Sequence, residues 1–121
     1  MTLQGYLLRG VLKQNRTLEE CREWSWARYY YVLVESGGGG SGGGGGILHQ
    51  YESREQALRK SNSATKKNRL KLVPSTTTSE NSYGSYGFEI STLNGRIQWQ
   101  LSASSSNERK MWIDRIESIC H

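Results

Sequence analysis

The hydrophobic period changes once along this chain, and that change most limits what it can fold into. Up to Ala103 the apolar residues come in short runs with period two; after Ser105 they recur at helical spacing. Ser105-Ser106-Asn107-Glu108 has the form of a capping box, in which the Ser105 hydroxyl accepts from the Glu108 amide. Beyond it Trp112, Ile116 and Ile119 stand at i, i+4 and i+7 beside Ile113 and Cys120, while Glu108, Arg109, Asp114, Arg115 and Glu117 fall on the other side. This is an amphipathic helix of about four turns. A lone helix has no second helix to cover its stripe, so strands must do so. The expected fold is mainly β with one α-helix, six or seven strands in a barrel or sandwich plugged at one end.

Gln4 to Lys13 (QGYLLRGVLK) and Trp26 to Glu35 (WARYYYVLVE) are rich in aromatic and β-branched residues and end in polar clusters, as two strands of a first hairpin would. The stretch NRTLEECREWS between them is too long for a tight turn and reads as a projecting loop, with Trp24 folding back over the rim. Ile47 to Tyr51 is a short third strand, and Leu70 to Val73 a fourth that stops at Pro74. Ser75 to Gly87 is Ser/Thr-rich and holds one short strand and a loop, without a defined position for the strand. Phe88 to Thr92 and Ile97 to Ala103 flank Asn94-Gly95, whose positive φ values suit a type I′ turn, so they form a hairpin. Ile97, Trp99 and Leu101 alternate with Gln98, Gln100 and Ser102, which implies one buried and one wet face.

Residues Gly37 to Gly46 read GGGGSGGGGG, the composition of an engineered flexible spacer. It is left out of fold reasoning and taken to replace a native loop or insertion between the second and third strands, disordered and without part in binding. The remaining about 111 residues suffice for one core but not two, so residues 1–121 are expected to form a single domain.

Several functional classes are disfavoured. Cys21 and Cys120 make neither a disulfide framework nor a four-ligand zinc site, and no cofactor is implied. His49 stands alone on a strand, His121 ends the chain, and no nucleophile elbow or nucleotide-phosphate cradle occurs, so an enzyme is not expected. No apolar run approaches the roughly 20 residues of a membrane span, and MTLQGYLLRG lacks the marks of a signal peptide, which points to a cytoplasmic protein.

The net charge of +5 is concentrated. Residues 1–35 hold five Lys/Arg against four Glu and residues 74–121 four against five, whereas residues 47–73 hold seven against two. Arg54, Arg59, Lys60, Lys66, Lys67, Arg69 and Lys71 are interleaved with Ser, Asn and Thr, with no aromatic among them. An aromatic-free basic loop suits phosphate or anionic lipid, and not the base stacking of a nucleic-acid site.

Gly5-Tyr6-Leu7-Leu8-Arg9, WARYYYVL at Trp26 to Leu33, Phe88-Glu89-Ile90, Trp99-Gln100-Leu101-Ser102-Ala103 and Glu108-Arg109-Lys110-Met111-Trp112-Ile113 together resemble a pleckstrin homology (PH) domain, in the family's order and over nearly the whole chain. The resemblance implies a seven-stranded PH-type barrel or sandwich of two near-orthogonal antiparallel sheets, capped by the C-terminal helix. It also implies a ligand site at the open end, ringed by the loops after strands 1, 3 and 6. Carried over, the basic position at the end of strand 1 is Arg9. The KRRWFVL pattern of lipid-binding members aligns its basic residues with Ala27, Arg28 and Tyr29, and the position after Tyr51 is Glu52, so the usual pocket has lost charge and gained an acid. The expected function is a monomeric, non-catalytic recruitment module, peripheral to anionic or phosphoinositide-bearing membrane, with an atypical pocket. The expected lipid-binding residues are Arg9, Lys13, Arg28, Lys60, Lys66, Lys67 and Arg69, acting as rim cations. The alternative is a protein interaction module of a signalling or scaffold protein, favoured by the aromatic residues Trp24, Trp26, Tyr29, Tyr30 and Tyr31.

Overall fold

The computed structural model describes residues 3–12, 24–35, 45–59, 69–92 and 95–120. Their elements run β1 (Leu3–Leu12), β2 (Trp24–Glu35), β3 (Gly46–Tyr51), α1 (Arg54–Leu58), β4 (Arg69–Leu72), β5 (Thr77–Asn81), β6 (Gly87–Thr92), β7 (Ile97–Ser102) and α2 (Ser106–Cys120). The seven strands form one antiparallel sheet in the order β4-β3-β2-β1-β7-β6-β5. β1 joins its two halves. It pairs with β2 along its whole length, from Leu3↔Leu33 to Leu12↔Trp24, but with β7 only from Leu8↔Ser102 to Gly10↔Gln100.

Alternation along the strands places Leu7, Tyr31, Leu33, Leu48, Leu70, Phe88, Ile90 and Leu101 on one buried face. Trp112, Ile116 and Ile119 of α2 cover one end of that face, with Trp112 only 1% exposed. Gly5 lies beneath it; a Cβ there would sit 3.9 Å from Trp112 Cζ2. α2 starts as half of the expected box. The Glu108 amide donates to Ser105 Oγ at 3.1 Å, but the Glu108 carboxylate takes the Ser104 hydroxyl instead of returning to the Ser105 amide.

Several expectations need correction. The basic stretch after β3 is not all loop: Ser53 caps α1 by accepting from the Gln56 amide, with Glu55 in the first turn. Trp24 belongs to β2, its ring centroid 5.0 Å from that of Tyr83. Gln100 and Ser102 are buried, because Asn81 Nδ2 donates to Gln100 Oε1 at 2.8 Å and the Tyr86 amide to Ser102 Oγ at 3.3 Å. The chain between β5 and β6 thus covers the supposed wet face, while Ile97 at the hairpin end is 38% exposed.

The spacer also has a structured end. Gly45, at φ +76°, donates its amide to the Ile119 carbonyl at 3.1 Å, which satisfies a carbonyl in the last turn of α2. A Cβ on Gly45 would stand 2.2 Å from the Leu72 carbonyl oxygen. Gly46 opens β3 opposite Glu35. The disorder expected for the rest of the spacer falls on residues 36–44, outside those described. Gly95 has φ +84°, as the expected tight turn requires, while Asn94 lies outside the described residues.

Candidate binding site at the open end

The inward positions of β1 lead from Gly5, under Trp112, through Leu7 in the core to Arg9, the layer furthest from α2. Arg9 therefore lies among core aromatics and not on the rim. Its guanidinium carbon is 3.9 Å from the centroid of the Trp99 ring. Its Nη1 donates to Gln50 Oε1 at 3.0 Å, and the Tyr31 hydroxyl donates to the same oxygen at 2.8 Å. Stacking on a buried ring stabilises the cation by about 0.5–2 kcal/mol. Burial lowers the Arg9 pKa and the nearby Tyr31 and Tyr29 oppose it; a guanidinium is basic enough to stay charged. Burial also pushes the Tyr31 hydroxyl well above its ordinary value, so it remains a neutral donor.

Gln50 holds the head of Arg9 in place without neutralising it. No acid pairs with Arg9 among the described residues, and its Nε is buried without a partner. The result is an oriented cation at the end of the sheet that α2 leaves open, with its Nε closed off from solvent. Ala27 stands directly across from Arg9, and Tyr29 follows on the same face, so neither brings a second cation.

The other expected site residues are dispersed. Arg28 is on the opposite face of the ribbon, its guanidinium carbon 4.0 Å from the centroid of the Tyr6 ring, where it cannot share one phosphate with Arg9. Arg69 is exposed on that same outer face, opposite His49 in register. Lys13, Lys60, Lys66 and Lys67 lie outside the described residues. Glu52 is exposed in the turn between β3 and α1, its amide donating to Gln56 Oε1 at 3.3 Å. The support of Arg9 by Gln50, Tyr31 and Trp99 was not anticipated. A signal existed, since Arg9 shares the parity of Gly5 and Leu7 and so the buried side of the strand.

Elsewhere, no group of His, Cys, Asp and Glu suited to a metal occurs among the described residues, and no helix there is long and apolar enough to cross a membrane. Cys120 is buried, and desolvation raises its thiol pKa, with the neighbouring Thr76 side chain opposing the shift. It is a core residue, not a nucleophile.

The family model described as PH domain matches residues 1–121, and the chain belongs to this family, whose members are generally non-catalytic binding modules. Among solved structures it is similar to the C-terminal PH domain of pleckstrin in complex with D-myo-Ins(1,2,3,5,6)P5, at 19% identity and TM-score 0.66, covering 98% of this chain and 94% of that one. It is also similar to the PH domain of human oxysterol binding protein-related protein 11, at 19% identity and TM-score 0.61, covering 97% and 78%. The curated protein sequences gave no match.

Proposed function

We propose that this PH domain, one folding unit over residues 1–121, recruits its parent protein to anionic membrane, phosphoinositide-bearing membrane included, by holding a phosphate of a lipid headgroup at the open end. The observation that carries this reading is Arg9, fixed by Gln50 and Trp99 and without an acidic partner among the described residues. The similar pleckstrin domain in complex with an inositol pentakisphosphate supports the ligand class. Ala27 and Tyr29 leave Arg9 as the one cation on its face of the ribbon, so selectivity among headgroups is weak and affinity depends on added loop charge. Lys13, Lys60, Lys66 and Lys67 supply that charge as a diffuse field, each cation contributing about 1 kcal/mol near an anionic surface. Arg28 and Arg69 add to the field without touching the phosphate that Arg9 holds. The module works at the cytoplasmic face of a membrane.

Pelleting with vesicles of phosphatidylcholine alone, with phosphatidylserine, and with a phosphatidylinositol bisphosphate tests this reading. Binding is expected with both anionic mixtures, weakened by Arg9→Ala and by the double reversal Lys66→Glu/Lys67→Glu, and reduced by salt at about 0.5 M. An absence of pelleting with either anionic mixture at low salt would refute it.

A further inference from the structure

A second surface lies near the α2 end of the sheet. β7 stops at Ser102 and the chain turns away, with the Ala103 amide donating to the Tyr86 carbonyl. Leu3 to Leu7 of β1 therefore have a strand partner on the β2 side alone. A groove of about 610 Å³ occupies the space where β7 would have continued. Its wall includes five consecutive β1 residues, Gln4 to Leu8. Consecutive strand residues point to opposite faces, so a groove that meets all five runs along the strand's edge, where backbone amides and carbonyls are presented. The first two turns of α2 form the facing wall through Glu108 and Met111.

The side chains of the groove add a second requirement. Leu8 is 39% exposed and Met111 49%, an apolar pair without a cover. Arg28 stands at the outer lip, braced on Tyr6 and without an acidic partner among the described residues, while the one acid of the groove, Glu108 on the facing wall, has its carboxylate engaged by the Ser104 hydroxyl. Backbone edge, apolar contact and unpaired cation together describe an extended peptide that carries an aliphatic residue and an acidic one.

We propose that this groove binds an extended acidic-aliphatic segment of a partner protein as an added strand on β1, with a peptide carboxylate against Arg28 and an aliphatic side chain over Met111 and Leu8. Main-chain bonds to the alternate residues of Gln4–Leu7 whose amides and carbonyls face away from β2 would supply affinity and the two side-chain contacts specificity. The groove ends at Leu8, one residue short of Arg9, and its cation Arg28 is on the other face of the ribbon from Arg9, so the proposal does not rest on lipid binding.

The test uses the whole chain. A phage-displayed library of random linear peptides is selected on it, and the strongest binder is synthesised and titrated into ¹⁵N-labelled protein. Amide exchange should slow on binding at the alternate residues of Gln4–Leu7 that face the open edge, and the selected sequences should share an aliphatic residue and an Asp or Glu. Arg28→Glu and Met111→Lys, both confirmed as folded by thermal melting, should each weaken the peptide about tenfold. The proposal is overturned if no peptide is enriched, if protection falls elsewhere, or if both variants bind as the parent does. It is also overturned if sedimentation shows a dimer that protects that edge without peptide, since a second copy would then be the occupant.

Discussion

Arg9 and Arg28 stand on opposite faces of one two-stranded ribbon, each stacked on an aromatic ring, Arg9 on Trp99 at 3.9 Å and Arg28 on Tyr6 at 4.0 Å. The separation follows from strand parity: Arg9 is directly opposite Ala27, so Arg28 must point the other way. One cation is thereby committed to the open end and the other to the outer surface.

Arg9→Met should separate binding from stability. A methionine can still cover Trp99, and the change removes a half-buried charge and a buried Nε without a partner. The melting temperature should stay within a few degrees of the parent or rise, while calorimetric titration with a soluble inositol pentakisphosphate should lose its signal. Retained binding would show that Lys13, Lys60, Lys66 and Lys67 hold the ligand without Arg9.

Much of the fold can be read from periodicity because the longer elements carry strong local signals. Trp112, Ile116 and Ile119 announced the helix, and Asn94-Gly95 announced the hairpin of β6 and β7. Short elements were harder. α1 has five residues and buries none of them, so no apolar stripe marks it, and only Ser53 and Gln56 at capping-box spacing hint at it. The Arg9 site failed for another reason. Its supports, Gln50, Tyr31 and Trp99, come from three different strands, and only the pairing of those strands brings them together.

Trp112→Ala should abolish cooperative folding. The indole is 1% exposed between Gly5 and the rest of the core, and its removal costs about 3–5 kcal/mol, comparable with the total stability of a small domain. Loss of a sigmoidal melt in circular dichroism is expected. A sharp transition near that of the parent would mean α2 is peripheral.

Gly45→Ala should destabilise the protein although Gly45 lies in a run that looks dispensable. Its φ of +76° disfavours a side chain, and the added Cβ would press on the Leu72 carbonyl oxygen. A penalty of about 1–3 kcal/mol is expected from left-handed backbone plus displacement of the bond to Ile119. Deleting four residues from Gly37–Gly44 should by contrast shift the melting temperature by only a few degrees, because loop-closure entropy varies slowly with length. Equal effects from the two changes would show that the end of the spacer has no special role.

His49 should make stability depend on pH. Burial lowers its pKa first, and the charge of Arg69 across the β3–β4 ladder lowers it further. Its Nδ1 is buried with no partner, so a protonated ring would present a proton there to no acceptor. The folded state thus binds this proton less readily than the unfolded chain, whose imidazole titrates near about 6.5. The contribution is fully present above that value and is lost as pH falls through it toward the depressed folded-state pKa. Melting temperatures measured from about pH 7.5 down to about pH 5 should therefore fall more steeply for the parent than for His49→Gln, which keeps a polar side chain and cannot titrate. Parallel curves for the two proteins would remove His49 as the cause.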